Sequence, residues 1–261
     1  MGYSIEGKNV LVTGASSGIG AALAEGFARR GAVVGICARR ADRLAAVLER
    51  LRVHSPESRA WPVDLADVPG IDAFARRVDD ELGGVDVLVN NAGIPKRRRV
   101  TDLDPEVVDA VMTINYLSPV RLTLALLPGL IERSGRVVNM SSVAARLSPP
   151  SEAAYAASKA ALTAWSECMQ VDLHDTGVRV HVVNPGVIDT DLFHLPDNDA
   201  PIADEVDALP VDAIVDPVLD QLEAGTFEIY VPDWFADVVA HKFPDTGAFL
   251  DGSIAWLKTK G

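Results

Sequence analysis

Short apolar segments alternate with longer amphipathic segments along most of this chain, and that alternation narrows the folds it can adopt. The short segments are rich in valine and isoleucine with little polar alternation, which is typical of strands buried on both faces of a parallel sheet. The pattern predicts strands at 9–12, 33–37, 60–63, 85–89, 136–140, 178–183 and 227–230. It predicts helices at 18–30, 41–53, 70–82, 104–131, 152–174 and 211–224.

This order of elements predicts the α/β fold class. We expect a Rossmann-type, doubly wound parallel sheet of about seven strands with helices on both faces. The 261 residues include no Ser/Gly-rich linker and no repeat of solenoid length, so we predict a single domain over 1–261.

Two regions break the alternation. Residues 189–210 form an acidic segment, interrupted by prolines, after the sixth predicted strand. Ligands in folds of this class bind beyond the carboxyl ends of the strands, so we predict a substrate lid there, with an ordinary surface loop as the alternative. Residues 232–261 form a C-terminal tail that is rich in aromatic residues.

The charge and cysteine content exclude several classes of protein. The formal net charge of −13 disfavours non-specific binding to nucleic acid. The two cysteines give no disulfide framework, and the five histidines show no metal-ligand spacing, so we expect a cytoplasmic protein without a bound metal. Residues 1–10 lack the features of a signal peptide, and no uninterrupted apolar stretch reaches membrane-spanning length, so no membrane association is expected.

A glycine-rich turn, residues 13–20 with the sequence TGASSGIG, connects the first predicted strand to the first helix. Gly14, Gly18 and Gly20 let the backbone approach a diphosphate closely, and the helix start offers free N–H groups to an anion. The spacing differs from the common G-x-G-x-x-G fingerprint. Residues 14–18 also satisfy G-x-S-x-G, which would make Ser16 a hydrolase nucleophile; the position at the first strand, with no oxyanion loop upstream, argues against it.

A tyrosine and a lysine share one face of a predicted helix. Tyr155 and Lys159 are four residues apart, which places their Cβ atoms about 5–6 Å from each other. A free phenol has a pKa near 10, and an adjacent ammonium group favours the phenolate. Ser142 follows the predicted strand 136–140, where its hydroxyl is placed to hold a substrate oxygen.

Two further motifs follow strands: Asn90-Asn91-Ala92-Gly93 after the fourth, and Asn184 to Thr190 after the sixth. Together with the glycine-rich turn, Tyr155-x-x-x-Lys159, Ser142 and Asn115, these motifs closely resemble the short-chain dehydrogenase/reductase family over roughly residues 7–230. The resemblance implies an enzyme that interconverts a ketone or aldehyde and an alcohol by hydride transfer with a nicotinamide cofactor.

The resemblance also implies roles for individual residues. Tyr155 would be the general acid/base and Ser142 would orient the substrate oxygen. Lys159 would lower the tyrosine pKa and hold the nicotinamide ribose, while Asn115 would anchor a water-linked proton relay. The cofactor-binding residues implied are Gly14, Ser16, Ser17, Gly18, Ile19, Gly20, Asp64, Leu65, Asn91, Ala92, Gly93, Tyr155, Lys159, Pro185, Gly186, Val187 and Thr190. For Asn90–Gly93, bracing of the sheet is an equally weighted alternative.

Pro119 stands four residues after Asn115 and cannot donate to its carbonyl. We therefore predict a helix kink and an ordered water on the Asn115 carbonyl that reaches toward Lys159.

The end of the second predicted strand indicates which nicotinamide is used. Ala38 stands where NAD-selective sites carry a carboxylate, and Arg39 and Arg40 follow it. An arginine can bind a 2′-phosphate through two parallel hydrogen bonds, so we predict NADP(H) rather than NAD(H). Against this, Ser17 is not the basic residue that some NADP-using relatives carry in the turn. The alternative for the arginine pair is a solvated strand end.

The leading interpretation is an NADP(H)-dependent carbonyl reductase. The alternatives are an NAD-dependent alcohol or hydroxysteroid dehydrogenase and, less favoured, a non-catalytic cofactor-binding scaffold. The basic run Lys96–Arg99 would attract a phosphate-bearing substrate, and the alternative is a solvated loop. Arg146 would bind a substrate carboxylate. The small residues around Tyr155 allow close helix packing, and the family resemblance implies a homodimer or homotetramer.

Overall fold

The computed structural model of the protein describes residues 2–191 and 207–259. Its strands are β1 (Asn9–Thr13), β2 (Val33–Ala38), β3 (Arg59–Pro62), β4 (Val87–Asn90), β5 (Arg136–Met140), β6 (Arg179–Pro185) and β7 (Glu228–Val231). All pair in parallel in one seven-stranded sheet of order β3-β2-β1-β4-β5-β6-β7. The predicted seven-stranded parallel sheet is confirmed, and strand order reverses between β1 and β4, where such sheets bind ligands.

Helices connect the strands across both faces. They are α1 (Gly18–Arg29), α2 (Ala41–Arg52), α3 (Ile71–Leu82), α4 (Pro105–Met112), α5 (Ser118–Glu132), α6 (Ala144–Leu147), α7 (Ala153–Asp172), α8 (Val215–Ala224), α9 (Phe235–Lys242) and α10 (Thr246–Lys258). In β1, Val10 and Val12 face the core that contains Phe27 of α1, while Leu11 faces the core that contains Leu122 of α5. Because strand side chains alternate between faces, this apolar strand supplies both cores.

The stretch Pro105–Glu132 is long and apolar enough, by length and composition, to cross a membrane, with a mean hydropathy of 1.4. That criterion is weak evidence for a span, since core helices of globular proteins also meet it. Within the stretch, Leu122, Leu126 and Leu130 pack into the core, whereas Leu124 and Ile131 are exposed. The face of α7 that carries Ala157 and Val171 is also exposed. The homodimer or homotetramer expected from the family resemblance stays a prediction. A mass above 27.8 kDa in sedimentation analysis would support it.

The two regions that break the alternation are described to different extents. Residues 192–206 of the predicted lid lie outside the described residues. The chain on either side comes together, because Ile188 pairs with Leu209 in a parallel bridge and the Asp189 N–H donates to the Leu209 carbonyl at 2.8 Å. The predicted tail forms α9 and α10, with Phe243–Asp245 in a short 3-10 turn between them.

A buried histidine makes folding stability depend on pH. His181 lies in β6 with no exposed surface, and its Nδ1–H donates to the Thr226 carbonyl at 2.8 Å. Burial lowers the pKa of the imidazole from 6.5 to about 4. The unfolded chain therefore binds more protons than the folded one between those two values, so the free energy of unfolding falls as pH decreases through that window.

We expect urea unfolding of the wild type to lose up to about 3 kcal/mol between pH 7 and pH 4 through this group. In His181→Asn that part of the pH dependence should disappear, because no imidazole remains to be protonated. His174→Asn serves as the control, since His174 is exposed. The same pH slope in the wild type and His181→Asn would contradict the assignment.

Candidate active site

A cleft of about 960 Å³ opens at the carboxyl edge of the sheet, over the point where the strand order reverses. It is lined by segments that follow six of the strands, from β3 at one side of the cleft to β6 at the other. The glycine-rich turn and the residues after β2 and β3 form one end of this cleft. Ser142, Tyr155 and Lys159 lie on the wall formed by β5 and α7.

The glycine-rich turn packs backbone against backbone on the loop after β4. Gly14 has a φ of +67°, and a Cβ there would lie 2.7 Å from the Cα of Ala92. The Thr13 hydroxyl accepts the N–H groups of Asn91 and Ala92, each at 3.0 Å. Because Gly14 has no side chain, the backbone of the turn lies directly against that of Ala92. A turn without side chains also lets a cofactor diphosphate approach its N–H groups closely.

The side chains of the Asn90–Gly93 loop brace the sheet. The Asn90 amide donates to Thr123 Oγ1 at 3.0 Å and to Asn139 Oδ1 at 2.8 Å. The Asn91 amide donates to the Thr13 carbonyl at 2.9 Å. Bracing, the alternative weighed from the sequence, therefore describes these two side chains, while Asn91, Ala92 and Gly93 also line the cleft.

Ser16 lacks the partners that a hydrolase nucleophile needs. Its hydroxyl accepts a hydrogen bond from the Arg40 guanidinium at 3.0 Å. No histidine lines the cleft within residues 2–191 and 207–259. The described part of the cleft therefore offers Ser16 no histidine with which to form a Ser-His pair.

The predicted catalytic residues converge on one place. The Lys159 ammonium lies 5.8 Å from the centroid of the Tyr155 ring and donates to the Met140 carbonyl at 2.7 Å. Ser142 hydrogen-bonds to the Tyr155 phenol and, at 3.1 Å, accepts the Ala144 N–H. These groups surround the Tyr155 hydroxyl at the cleft wall, where a substrate oxygen would meet both hydroxyl groups.

The electrostatics of this group differ from the expectation. Burial raises the pKa of Tyr155, the Glu152 carboxylate raises it further, and the hydrogen bond from Ser142 lowers it. Burial also lowers the pKa of Lys159 to about 8. Burial of Tyr155 opposes the lowering of its pKa that is predicted for Lys159, whose ammonium donates to the Met140 carbonyl, and that role of Lys159 stays a prediction.

Asn115 lies fully buried in a π-helical turn, Thr113–Leu117, that joins α4 to α5. Its amide donates to the Ile94 carbonyl and to Ser158 Oγ, both at 3.0 Å, and its Oδ1 accepts the Ile94 N–H at 2.9 Å. The predicted kink takes the form of this wider turn, which accommodates the missing N–H of Pro119 without breaking the helix. The water on the Asn115 carbonyl stays a prediction.

The arginines after β2 lie at the mouth of the cleft. Arg40 donates to Ser17 Oγ at 2.8 Å as well as to Ser16, so it is tied to the glycine-rich turn. Arg39 is exposed and lines the same end of the cleft, together with Asp64 and Leu65. A cationic group is thus available where an adenosine ribose would lie.

The segment after β6 closes the opposite wall. A Cβ on Gly186 would lie 2.3 Å from the Phe235 ring, and the Gly186 N–H donates to the Val231 carbonyl at 2.9 Å. Thr190 lies against Gly18 at the start of α1, with its Cγ2 3.2 Å from a Cβ placed there. Pro185, Gly186, Val187 and Thr190 all line the cleft, as the motif predicted.

Among the cleft residues that lie outside the family motifs are Phe235, Arg97 and Glu152. Arg97 belongs to the basic run 96–99, yet it is 8% exposed and pairs with Glu152. Arg97 is therefore not a solvated side chain, whereas Arg99 of the same run is exposed, and phosphate binding by the run stays a prediction. Arg146 does not meet the cleft, because its guanidinium contacts Glu167 at 2.6 Å and Glu228 at 3.2 Å.

Comparison with known proteins decides the family. The model of the short chain dehydrogenase family matches residues 8–199. The chain belongs to this family. Dehydrogenase/reductase SDR family member 7B of Bos taurus is 39% identical over 192 residues, which are 70% of this chain and 58% of that protein. The chain spans about three-fifths of the length of the curated relatives it matches.

Solved structures share the fold over nearly the whole chain. A short chain dehydrogenase from Burkholderia cenocepacia in complex with NADP is 31% identical with a TM-score of 0.80, covering 94% of this chain and 97% of that one. A short chain dehydrogenase/reductase from Burkholderia phymatum in complex with NAD is 22% identical with a TM-score of 0.85, covering 94% and 95%. The second likeness shows the fold alone.

The close approach at Gly14 predicts a selective loss of cofactor binding. In Gly14→Ala, the new methyl group must displace the Ala92 backbone, and we expect nicotinamide dinucleotide affinity to fall at least about tenfold. Gly7→Ala is the matched control, because Gly7 has a similar φ of +72° but nothing within 4 Å of a Cβ.

Both variants should lose roughly 1–2 kcal/mol of unfolding free energy, because both place a side chain at positive φ, and Gly14→Ala should lose more through its contact with Ala92. Fluorescence titration with NADPH and with NADH then separates the two. Equal affinity in Gly14→Ala and Gly7→Ala would contradict the placement of the diphosphate at this turn.

Proposed function

We propose that this short chain dehydrogenase is an NADP(H)-dependent carbonyl reductase that converts a ketone or aldehyde to an alcohol. The observation that carries the proposal is the convergence of Ser142, Tyr155 and Lys159 at one wall of a cleft whose other end is the glycine-rich turn. The turn would hold the diphosphate of a dinucleotide, and the wall that carries Ser142, Tyr155 and Lys159 would hold its nicotinamide end.

The chain's own residues supply the proton and hold the substrate. When bound, the cofactor supplies the hydride. The Tyr155 O–H donates its proton to the carbonyl oxygen, and the Ser142 hydroxyl donates a hydrogen bond to the same oxygen as negative charge develops on it. Asn115 fixes the Ile94 backbone and, through Ser158, the first half of α7, so it positions the cleft walls.

The protonation state of Tyr155 favours the reducing direction. Burial and the Glu152 carboxylate raise the tyrosine pKa, so the phenol keeps its proton at neutral pH. A protonated phenol is the acid that reduction needs, whereas oxidation needs the phenolate. Oxidation of the alcohol is therefore expected to gain rate only at alkaline pH.

The cofactor preference rests on the residues after β2. Ala38 provides no carboxylate to repel a 2′-phosphate, and Arg39 provides a guanidinium at the cleft mouth. The NADP complex of the Burkholderia cenocepacia relative supports the same preference.

Replacing Tyr155 tests the catalytic assignment. Tyr155→Phe removes the proton donor and little volume, so we expect turnover of NADPH with a ketone panel to fall by about 10²–10⁴-fold. NADPH affinity, followed by nicotinamide fluorescence, should stay within about twofold, because the ring remains. Turnover at the wild-type rate would contradict the assignment.

Replacing the arginines tests the cofactor preference. Arg39→Ala should weaken NADPH binding about 10- to 100-fold and leave NADH binding unchanged, because one charge-assisted contact to the 2′-phosphate is lost. Arg40→Ala should weaken both, since Ser16 and Ser17 lose their guanidinium partner. Arg50→Ala, an exposed arginine of α2 paired with Glu25, is the control. Tighter wild-type binding of NADH than NADPH would refute the preference.

A further inference from the structure

A buried ion pair lies on the side of the cleft beyond Tyr155. Arg97 Nε lies 2.8 Å from Glu152 Oε1, and the two side chains are 10% and 14% exposed. Both line the cleft together with Tyr155. The family motifs assign no role to either residue.

The lining residues that precede the two paired residues along the chain are apolar. They are Ile94 and Pro95 before Arg97, and Leu147 and Pro149 before Glu152. Among the described lining residues, the other charged groups lie elsewhere: Arg39, Arg40 and Asp64 follow β2 and β3, and Asp191 pairs with Arg43 at 2.5 Å. Lys159 is directed at the Met140 carbonyl. A substrate that enters this end meets Glu152 and Arg97 as its charged contacts.

The backbone holds the pair in place. Glu152 precedes α7 by one residue and stands three residues before Tyr155, so both side chains lie on the same side of the first turn of that helix. The Arg98 N–H donates to the Ser151 carbonyl at 2.7 Å, which ties the loop that carries Arg97 to the start of α7. Lys96 and Ser151 adopt positive φ values of 46° and 64° next to the two paired residues.

A paired carboxylate in an apolar cleft affects neutral and anionic substrates differently. Burial raises the pKa of Glu152, and the Arg97 guanidinium counteracts that shift by favouring the ionised carboxylate. A second carboxylate or phosphate brought into the same low-dielectric space would be repelled by Glu152 and would have to share its one cationic partner. A hydroxyl, ketone or ester group brings no such charge.

We propose that Glu152, held by Arg97, is a specificity-determining residue that rejects anionic carbonyl compounds and restricts the enzyme to neutral, largely apolar ketones and aldehydes. This inference rests on the carbonyl reductase function proposed above. It adds to that function a chemical class of substrate.

The test compares one ketone in two charge states, methyl levulinate and levulinate. The wild type should reduce the ester with a kcat/KM at least about tenfold higher than that of the acid. Glu152→Gln keeps the shape and removes the charge, so the ratio of acid to ester should rise at least about tenfold. A change in Tyr155 reactivity would act on both compounds alike and leave the ratio unchanged.

Two variants serve as controls. Glu152→Asp keeps the charge and should keep most of the discrimination, and Glu167→Gln removes an exposed carboxylate from the same helix and should leave the ratio unchanged. Thermal unfolding and NADPH titration of each variant show that it is folded and binds cofactor. For a variant with slow turnover, the acid and the ester are compared as competitive inhibitors of the reduction of a faster ketone. The ratio of their inhibition constants then replaces the ratio of their kcat/KM values.

An unchanged ratio in Glu152→Gln, or equal use of acid and ester by the wild type, would overturn the inference while the reductase function stands. If the wild type binds NADPH but reduces no carbonyl compound, the proposed function fails and the substrate class falls with it.

Discussion

The active cleft depends on one close contact between backbones, that of the glycine-rich turn with the loop after β4. Thr13 accepts two N–H groups from that loop, and Gly14 leaves no room for a side chain between the two segments. Because β1 and β4 are neighbours at the point where strand order reverses, this contact forms the floor on which a dinucleotide can lie. Asn115 extends the contact from the same loop to the start of α7, so the turn, the loop and the tyrosine helix form one connected support.

Burial shifts the pKa values of Tyr155 and Lys159, both on that helix, in opposite directions. It raises the pKa of Tyr155, which keeps the phenol protonated, and it lowers the pKa of Lys159 to about 8. Both shifts disfavour charge near the reacting oxygen in the protein alone. Glu152 acts in the same direction on Tyr155 while its own charge is held by Arg97. A reductase benefits from such a site, since its acid must carry a proton when the substrate arrives.

Local patterns in the sequence predicted most of the fold, because buried parallel strands and amphipathic helices differ in composition and period. Helical spacing placed Tyr155 and Lys159 on one face, and Ser142 and Asn91 follow strands, but the roles of these residues came from the family resemblance. The Arg97–Glu152 pair was not found, because it joins two loops whose approach is set by the sheet rather than by any neighbouring residue. The sequence also predicted the distortion at Pro119 only in part. The proline indicated that the helix is distorted, but that the distortion is a π-helical turn depends on tertiary packing.

Transfer of deuterium would test whether this cleft carries out hydride transfer. The protein would be incubated with NADPH deuterated at the reactive face of nicotinamide C4 and with a panel of neutral apolar ketones, and the alcohols analysed by mass spectrometry. We predict one deuterium on the carbinol carbon, because the hydride passes directly from nicotinamide C4 and a carbon-bound deuterium does not exchange with water. Alcohol without deuterium for both labelled faces, or no alcohol from any ketone, would contradict the proposed chemistry.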